Sequence, residues 1–121
     1  MADPLLLDSA LFRRRVALLG ETVIGNLIET FREVHGETPD LIGVAARARD
    51  FAALRHHAHK LKSAAGALGM DALAALAQEL EGAAAAGQAA QVERGVTRLP
   101  SLFDATLDAV SRAHRESGRR P

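Results

Sequence analysis

The chain has no cysteine, no tryptophan and no tyrosine among its 121 residues. Without thiols there is neither a disulfide framework nor a thiolate nucleophile, a usage that fits a reducing compartment. The aromatics are four phenylalanines, too few for platforms that stack bases or sugars. Net charge is also absent, with 15 Lys and Arg balancing 15 Asp and Glu. No global field therefore draws the chain to nucleic acid or to an anionic membrane. No apolar run approaches the roughly 20 residues of a membrane span, and residues 1–7 have neither a basic leader nor the apolar length of a signal peptide. The glycines are scattered and form no phosphate-cradling loop or dinucleotide fingerprint. The expectation is a cytoplasmic protein of one domain over 1–121, with no ATP site, metal or cofactor of its own.

Alanine and leucine dominate what remains, and both favour helix. No segment alternates with β-branched residues, so no strand is predicted. A short helix over about 8–19 starts at Asp8 as cap and stops at Gly20. Helical spacing of Val23/Ile24, Leu27/Ile28, Phe31 and Val34 begins a second pattern at Glu21. Gly36 and Pro39 interrupt it before Leu41, Ile42 and Ala45 extend the stripe to about 49, either as two helices or as one kinked helix. Asp50 caps a third helix to about 68, with Phe51, Leu54, Ala58, Leu61, Ala65 and Leu68 at strict 3-4 spacing. A fourth covers about 70–86 and buries Leu73, Leu76, Leu80 and Ala84. The last begins near 88, carries Val92, Val96, Leu99, Phe103, Leu107 and Val110, and should bend at Pro100. After His114 the polar, basic run 115–121 reads as a frayed tail. The predicted fold is all-α: an antiparallel, up-down four-helix bundle with a core over about 20–112 and a short extra N-terminal helix.

One helix carries chemistry. The run Ala58-His59-Lys60-Leu61-Lys62-Ser63-Ala64-Ala65-Gly66-Ala67-Leu68-Gly69 places its apolar stripe roughly 130° from His59 at about 100° per residue, so His59 should reach solvent. Neutral imidazole is a nucleophile, and Lys62 is placed one turn on to pair with negative charge gained there. Arg55, His56, Ser63 and Gly66 share the His59 face. Ser63 and Gly66 keep it low, as close approach by a partner requires. In a hairpin turning at Gly69, residues equidistant from the turn face one another, which brings the level of Glu79 to Glu81 opposite His59. A carboxylate there would fix the ring's tautomer, although geometry alone does not separate Gln78 from Glu81.

The segment His59-x-Leu61-Lys62-Ser63-x-x-x-x-Leu68-Gly69, preceded by Leu54-Arg55-x-x-Ala58 and followed by Leu73 and Leu80-Glu81, resembles the histidine-containing phosphotransfer (HPt) domain. The resemblance spans the helical plan from about 20 to 110. It implies that His59 takes a phosphoryl group on its outer ring nitrogen from the aspartyl phosphate of a receiver domain and passes it to a second receiver. Lys62 would assist by electrostatics, and Glu81 matches a position that orients the imidazole. Mg²⁺ would belong to the receiver. Ser63 stands where members of that family commonly carry glycine, so a hydroxyl beside the phosphate bears on transfer rate or phosphohistidine lifetime.

Other readings weigh less. His56, His57 and His59 sit on one helix without a second histidine pair or an HExxH pattern, so no metal site is expected. His35 and His114 read as surface residues near helix ends. A non-catalytic helical adaptor that binds a receiver or kinase without phosphotransfer would have no need of His59 and Lys62. A kinase dimerisation domain would need an ATP-binding partner domain, and this helical pattern closes as a monomer.

Overall fold

The structure, a computed structural model, describes residues 6–118 and contains no strand among them. Six helices follow in order: α1 (Ser9–Leu19), α2 (Glu21–His35), α3 (Thr38–Arg47), α4 (Phe51–Ala67), α5 (Asp71–Ala85) and α6 (Ala89–Gly118). Two aspartates open helices as their side chains dictate. Asp8 Oδ1 accepts from the Leu11 N–H at 3.0 Å and Asp50 Oδ1 from that of Ala53 at 3.1 Å; such a cap contributes about 1 kcal/mol. The interruption at Gly36 resolves into two helices rather than one kinked helix, with Pro39 in the first turn of α3, where its missing N–H costs nothing.

Three helix ends close in the same way. The N–H groups of Asp50, Met70 and Gln88 each reach a carbonyl five residues back, those of Ala45, Ala65 and Ala83, all at 2.9 Å. The residue before each is left-handed: Arg49 at φ 57°, Gly69 at φ 75° and Gly87 at φ 68°. Glycine adopts that conformation freely, whereas a side chain there costs about 1 kcal/mol. Arg49 is the residue of the three that carries this strain.

The stripe predicted for α4 is the buried one: Leu54, Ala58, Leu61, Ala65 and Leu68 face the core, with Phe51 half-buried. It packs most extensively on α5, whose buried residues include Leu73, Leu76, Ala77 and Leu80. Helix α5 also meets α6, and α3 touches both α4 and α6, so α3 to α6 close a ring around the core. Helix α2 rests on α6, and α1 on α2 and α6. The core reaches outside 20–112, because Leu7 and Phe12 are each only 2% exposed and belong to it. The N-terminal segment is held there by the Asp8 N–H donating to the Gly69 carbonyl at 2.8 Å.

Several expectations change. Residues 115–118 continue α6 as helix instead of fraying; residues 119–121 of the predicted tail lie outside the described residues. As the pattern predicts, α6 is one helix through Pro100, which lies on its exposed side. Neither terminal histidine is a simple surface residue. His35 is buried against Phe31, with ring centroids 5.0 Å apart, and Thr38 Oγ1 lies 3.4 Å from its Nδ1. His114 Nε2 donates to the Glu21 carbonyl at 2.9 Å, and its ring lies over Gly25, where an added Cβ would come within 2.9 Å. It ties α6 to the start of α2. In α2 only Ile24, Ile28 and Phe31 of the apolar set are buried, while Val23, Leu27 and Val34 stay exposed. No helix of the described residues is long and apolar enough to cross a membrane.

Candidate functional site

Helix α4 holds His59 away from its apolar stripe, and the side chain is 60% exposed. The turn at Gly69 sends α5 back along α4 and sets the register. His59 lies ten residues before that turn and Glu81 twelve after it. The two meet: His59 Nδ1 is 2.7 Å from Glu81 Oε2, and Lys62 Nζ donates to Glu81 Oε1 at 2.8 Å. One carboxylate thus engages the imidazole with one oxygen and the ammonium with the other.

The charge state follows from these contacts. The hydrogen bond from Lys62 is the largest influence on the Glu81 carboxyl and holds it below its ordinary value of 4.5, against the opposing pull of desolvation; the His59 hydrogen bond adds to the lowering. Glu81 is therefore ionised at neutral pH and can only accept, so Nδ1 of His59 carries the proton and donates it. That fixes the tautomer. Nε2, at the outer end of an exposed ring, keeps its lone pair for a nucleophilic role.

Among the carboxylate candidates across the hairpin, Glu81 is the one that reaches His59. Glu79 turns instead toward Arg98, 3.5 Å away, and Gln78 is exposed. Lys62 was expected to face the negative charge gained by His59, yet in the structure its ammonium already meets Glu81. The periodicity of neither helix reveals the Lys62–Glu81 pair, although nineteen positions across the Gly69 turn put both within reach of His59.

Arg55, His56, Ser63 and Gly66 are all exposed along the same helix. An added Cβ on Gly66 would meet nothing within 4 Å, so no packing among the described residues requires glycine there. The His56 and His57 rings lie edge to face at 5.8 Å. Among the described residues, no group of three or more His, Asp or Glu side chains could hold a metal ion.

Beside α4 runs an apolar groove of about 480 Å³, with Leu27, Phe31 and Val34 of α2 on one wall and Ala64, Ala67 and Leu68 on the other. None of the sequence motifs marks it. Its signal was the doubled apolar positions of α2, a stripe wider than one buried face needs.

Searches of curated proteins and of solved structures gave no match. A family model described as Hpt domain matches residues 26–113. That span begins inside α2, takes in the whole α4–α5 hairpin with His59, Lys62 and Glu81, and ends near the end of α6. As it covers well over half of the 121 residues, the chain belongs to the Hpt domain family.

Proposed function

We propose that this chain is a histidine phosphotransfer protein of a multistep phosphorelay in which His59 is the phosphoacceptor. Hpt domains serve histidine phosphotransfer in phosphorelays and interact with receiver domains. The observation that carries the assignment to His59 is the 2.7 Å contact of its Nδ1 with Glu81 on a ring that is otherwise open to solvent.

In this reading the Nε2 lone pair attacks the phosphorus of a receiver's aspartyl phosphate. The Nε2–P bond forms, the bond from phosphorus to the carboxylate oxygen breaks, and its electron pair leaves with the aspartate. No proton needs to move. The ring becomes cationic with Nδ1–H still donating to Glu81, whose negative charge balances it. Lys62 holds Glu81 in place and adds positive charge beside the incoming phosphoryl group. The reverse sequence passes the group to a second receiver. Mg²⁺ and the acidic pocket belong to the receiver, so the chain is a carrier without kinase activity of its own.

Arg55, His56, Ser63 and Gly66 form the docking face, and the neighbouring groove offers apolar contact area. We read the ring of α3 to α6 as the up-down four-helix bundle of a single domain, acting as a cytoplasmic monomer, with α1 and α2 added to its side. The test is to incubate the chain with a phosphorylated receiver and follow label, beside His59→Gln. Acid-labile, alkali-stable label absent from the variant supports the reading. No transfer from any cognate receiver favours a helical adaptor that binds without phosphotransfer.

A further inference from the structure

We propose that the Ser63 hydroxyl is a phosphoryl-binding group that donates a hydrogen bond to a non-bridging oxygen of the phosphoryl group on His59 Nε2 and so prolongs the life of the phosphohistidine. The proposal rests on His59 being the phosphoacceptor and adds a residue to that site.

Three observations lead to it. The ammonium nearest His59 on α4 is already engaged, because Lys62 Nζ donates to Glu81 at 2.8 Å while the other oxygen of that carboxylate holds Nδ1. Ser63 is exposed and lies one turn beyond His59 on the same face of α4. Helical side chains lean toward the N-terminus, so a residue four positions on leans back over the level of His59.

The third observation concerns the hydroxyl itself. A serine or threonine within a helix commonly donates to the carbonyl four residues back, and three in this chain do so: Thr97 to Glu93, Thr106 to Leu102 and Ser117 to Ala113. Ser63 has no such bond and no other partner among the described residues. Its donor is available at the one helical position that shares a face with His59 and carries a hydroxyl. With no packed neighbour beyond it at Gly66, the hydroxyl can turn outward.

The transfer step is unchanged in its balance of atoms and electrons. Ser63 neither gains nor loses a proton; it shares one with a phosphoryl oxygen after the Nε2–P bond has formed. The bond favours the phosphorylated carrier over both water and the donor receiver.

The experiment labels the full chain with a phosphorylated receiver, removes the receiver and follows loss of phosphohistidine in the wild type, Ser63→Ala, Ser63→Gly and Ser63→Thr. All three substitutions are at an exposed site, and circular dichroism can verify that each variant folds. Loss of one hydrogen bond to a charged group predicts a half-life shortened about ten- to a hundredfold in S63A and S63G, with S63T close to wild type. The equilibrium with the receiver should shift by the same factor away from the carrier. A half-life for S63A equal to that of the wild type overturns the proposal. So does a change in S63G that S63A does not share, because it assigns Ser63 a steric role. If the wild type itself takes no label on His59, the phosphotransfer reading fails and this inference falls with it, a result distinct from normal labelling with an indifferent Ser63.

Discussion

Lys62 and Glu81 form a 2.8 Å ion pair whose second carboxylate oxygen receives the Nδ1–H of His59. The lysine therefore acts on the histidine through the carboxylate. Lys62→Met should release Glu81, raise its carboxyl from its lowered position, and move the acid limb of phosphotransfer to higher pH. The sign follows from the direction of the shift. The pair's contribution is present above 4.5 and is lost as pH falls through the lower folded value. Carboxyl-carbon NMR of Glu81 in both proteins reads the shift directly, and an unmoved titration would separate Lys62 from Glu81.

Removing the carboxylate should be more damaging. Glu81→Ala leaves Nδ1 without its acceptor and frees the ring's tautomer, and the transfer rate should fall about ten- to a hundredfold, the range for a charge-assisted hydrogen bond. Glu81→Gln keeps an acceptor without the balancing charge and should fall between the two. Single-turnover transfer from a phosphorylated receiver gives the order.

His35 supplies a second pH dependence, one of stability. Burial is the larger cause holding its imidazole below the ordinary 6.5, and the positive charge of Lys60 adds to it. The unfolded chain binds that proton more readily, so stability should fall as pH drops below 6.5 toward the folded value. His35→Leu removes this term. Urea unfolding at pH 7.5 and 5.5 should show a larger loss for the wild type than for the variant, and parallel profiles would contradict it.

The α3–α4 turn invites a stabilising change. Arg49 sits at φ 57°, where the other two helix ends of the same design use Gly69 and Gly87. Arg49→Gly should stabilise the fold by about 0.5–1 kcal/mol by relieving the left-handed strain, measured as a higher midpoint in urea or heat.

Two helical glycines should respond in opposite ways to alanine. At Gly66 there is open space, and Gly66→Ala should stabilise by about 0.5–1 kcal/mol while slowing transfer if a receiver approaches there. At Gly95 an added Cβ would lie 2.6 Å from Leu80 Cδ2. Gly95→Ala should destabilise by about 1–3 kcal/mol as the buried Leu80 side chain is pushed from its place in the core. Denaturation curves of the two variants, run together, check both signs.

The helices of the hairpin were legible because Leu54, Ala58, Leu61, Ala65 and Leu68 repeat at one spacing and Gly69 stops it. The exposure of His59 followed from the same wheel. What the pattern left open depended on contacts between helices. Gln78 and Glu81 could not be separated by register, because which α5 face meets His59 is set by how α4 and α5 roll against one another. His35 was misplaced for a related reason. Ile24, Ile28, Phe31 and His35 form one 4-3-4 stripe, but the imidazole reads as polar until Phe31 and Thr38 are seen around it. The spacing of the apolar set of α2 does not reveal that Ile24, Leu27, Phe31 and Val34 border a groove.

The turn at Gly69 carries a consequence for chain length. With the imidazole ten residues upstream and its carboxylate twelve downstream, inserting or deleting one residue there would carry every α5 side chain about 100° around its axis. Leu80 or Gly82 would then stand where Glu81 now meets His59. The same change at Gly87 would leave that pairing untouched. A one-residue change in the hairpin that joins α4 to α5 therefore removes the site itself, whereas at the α5–α6 turn it disturbs only the packing of α6 on α5.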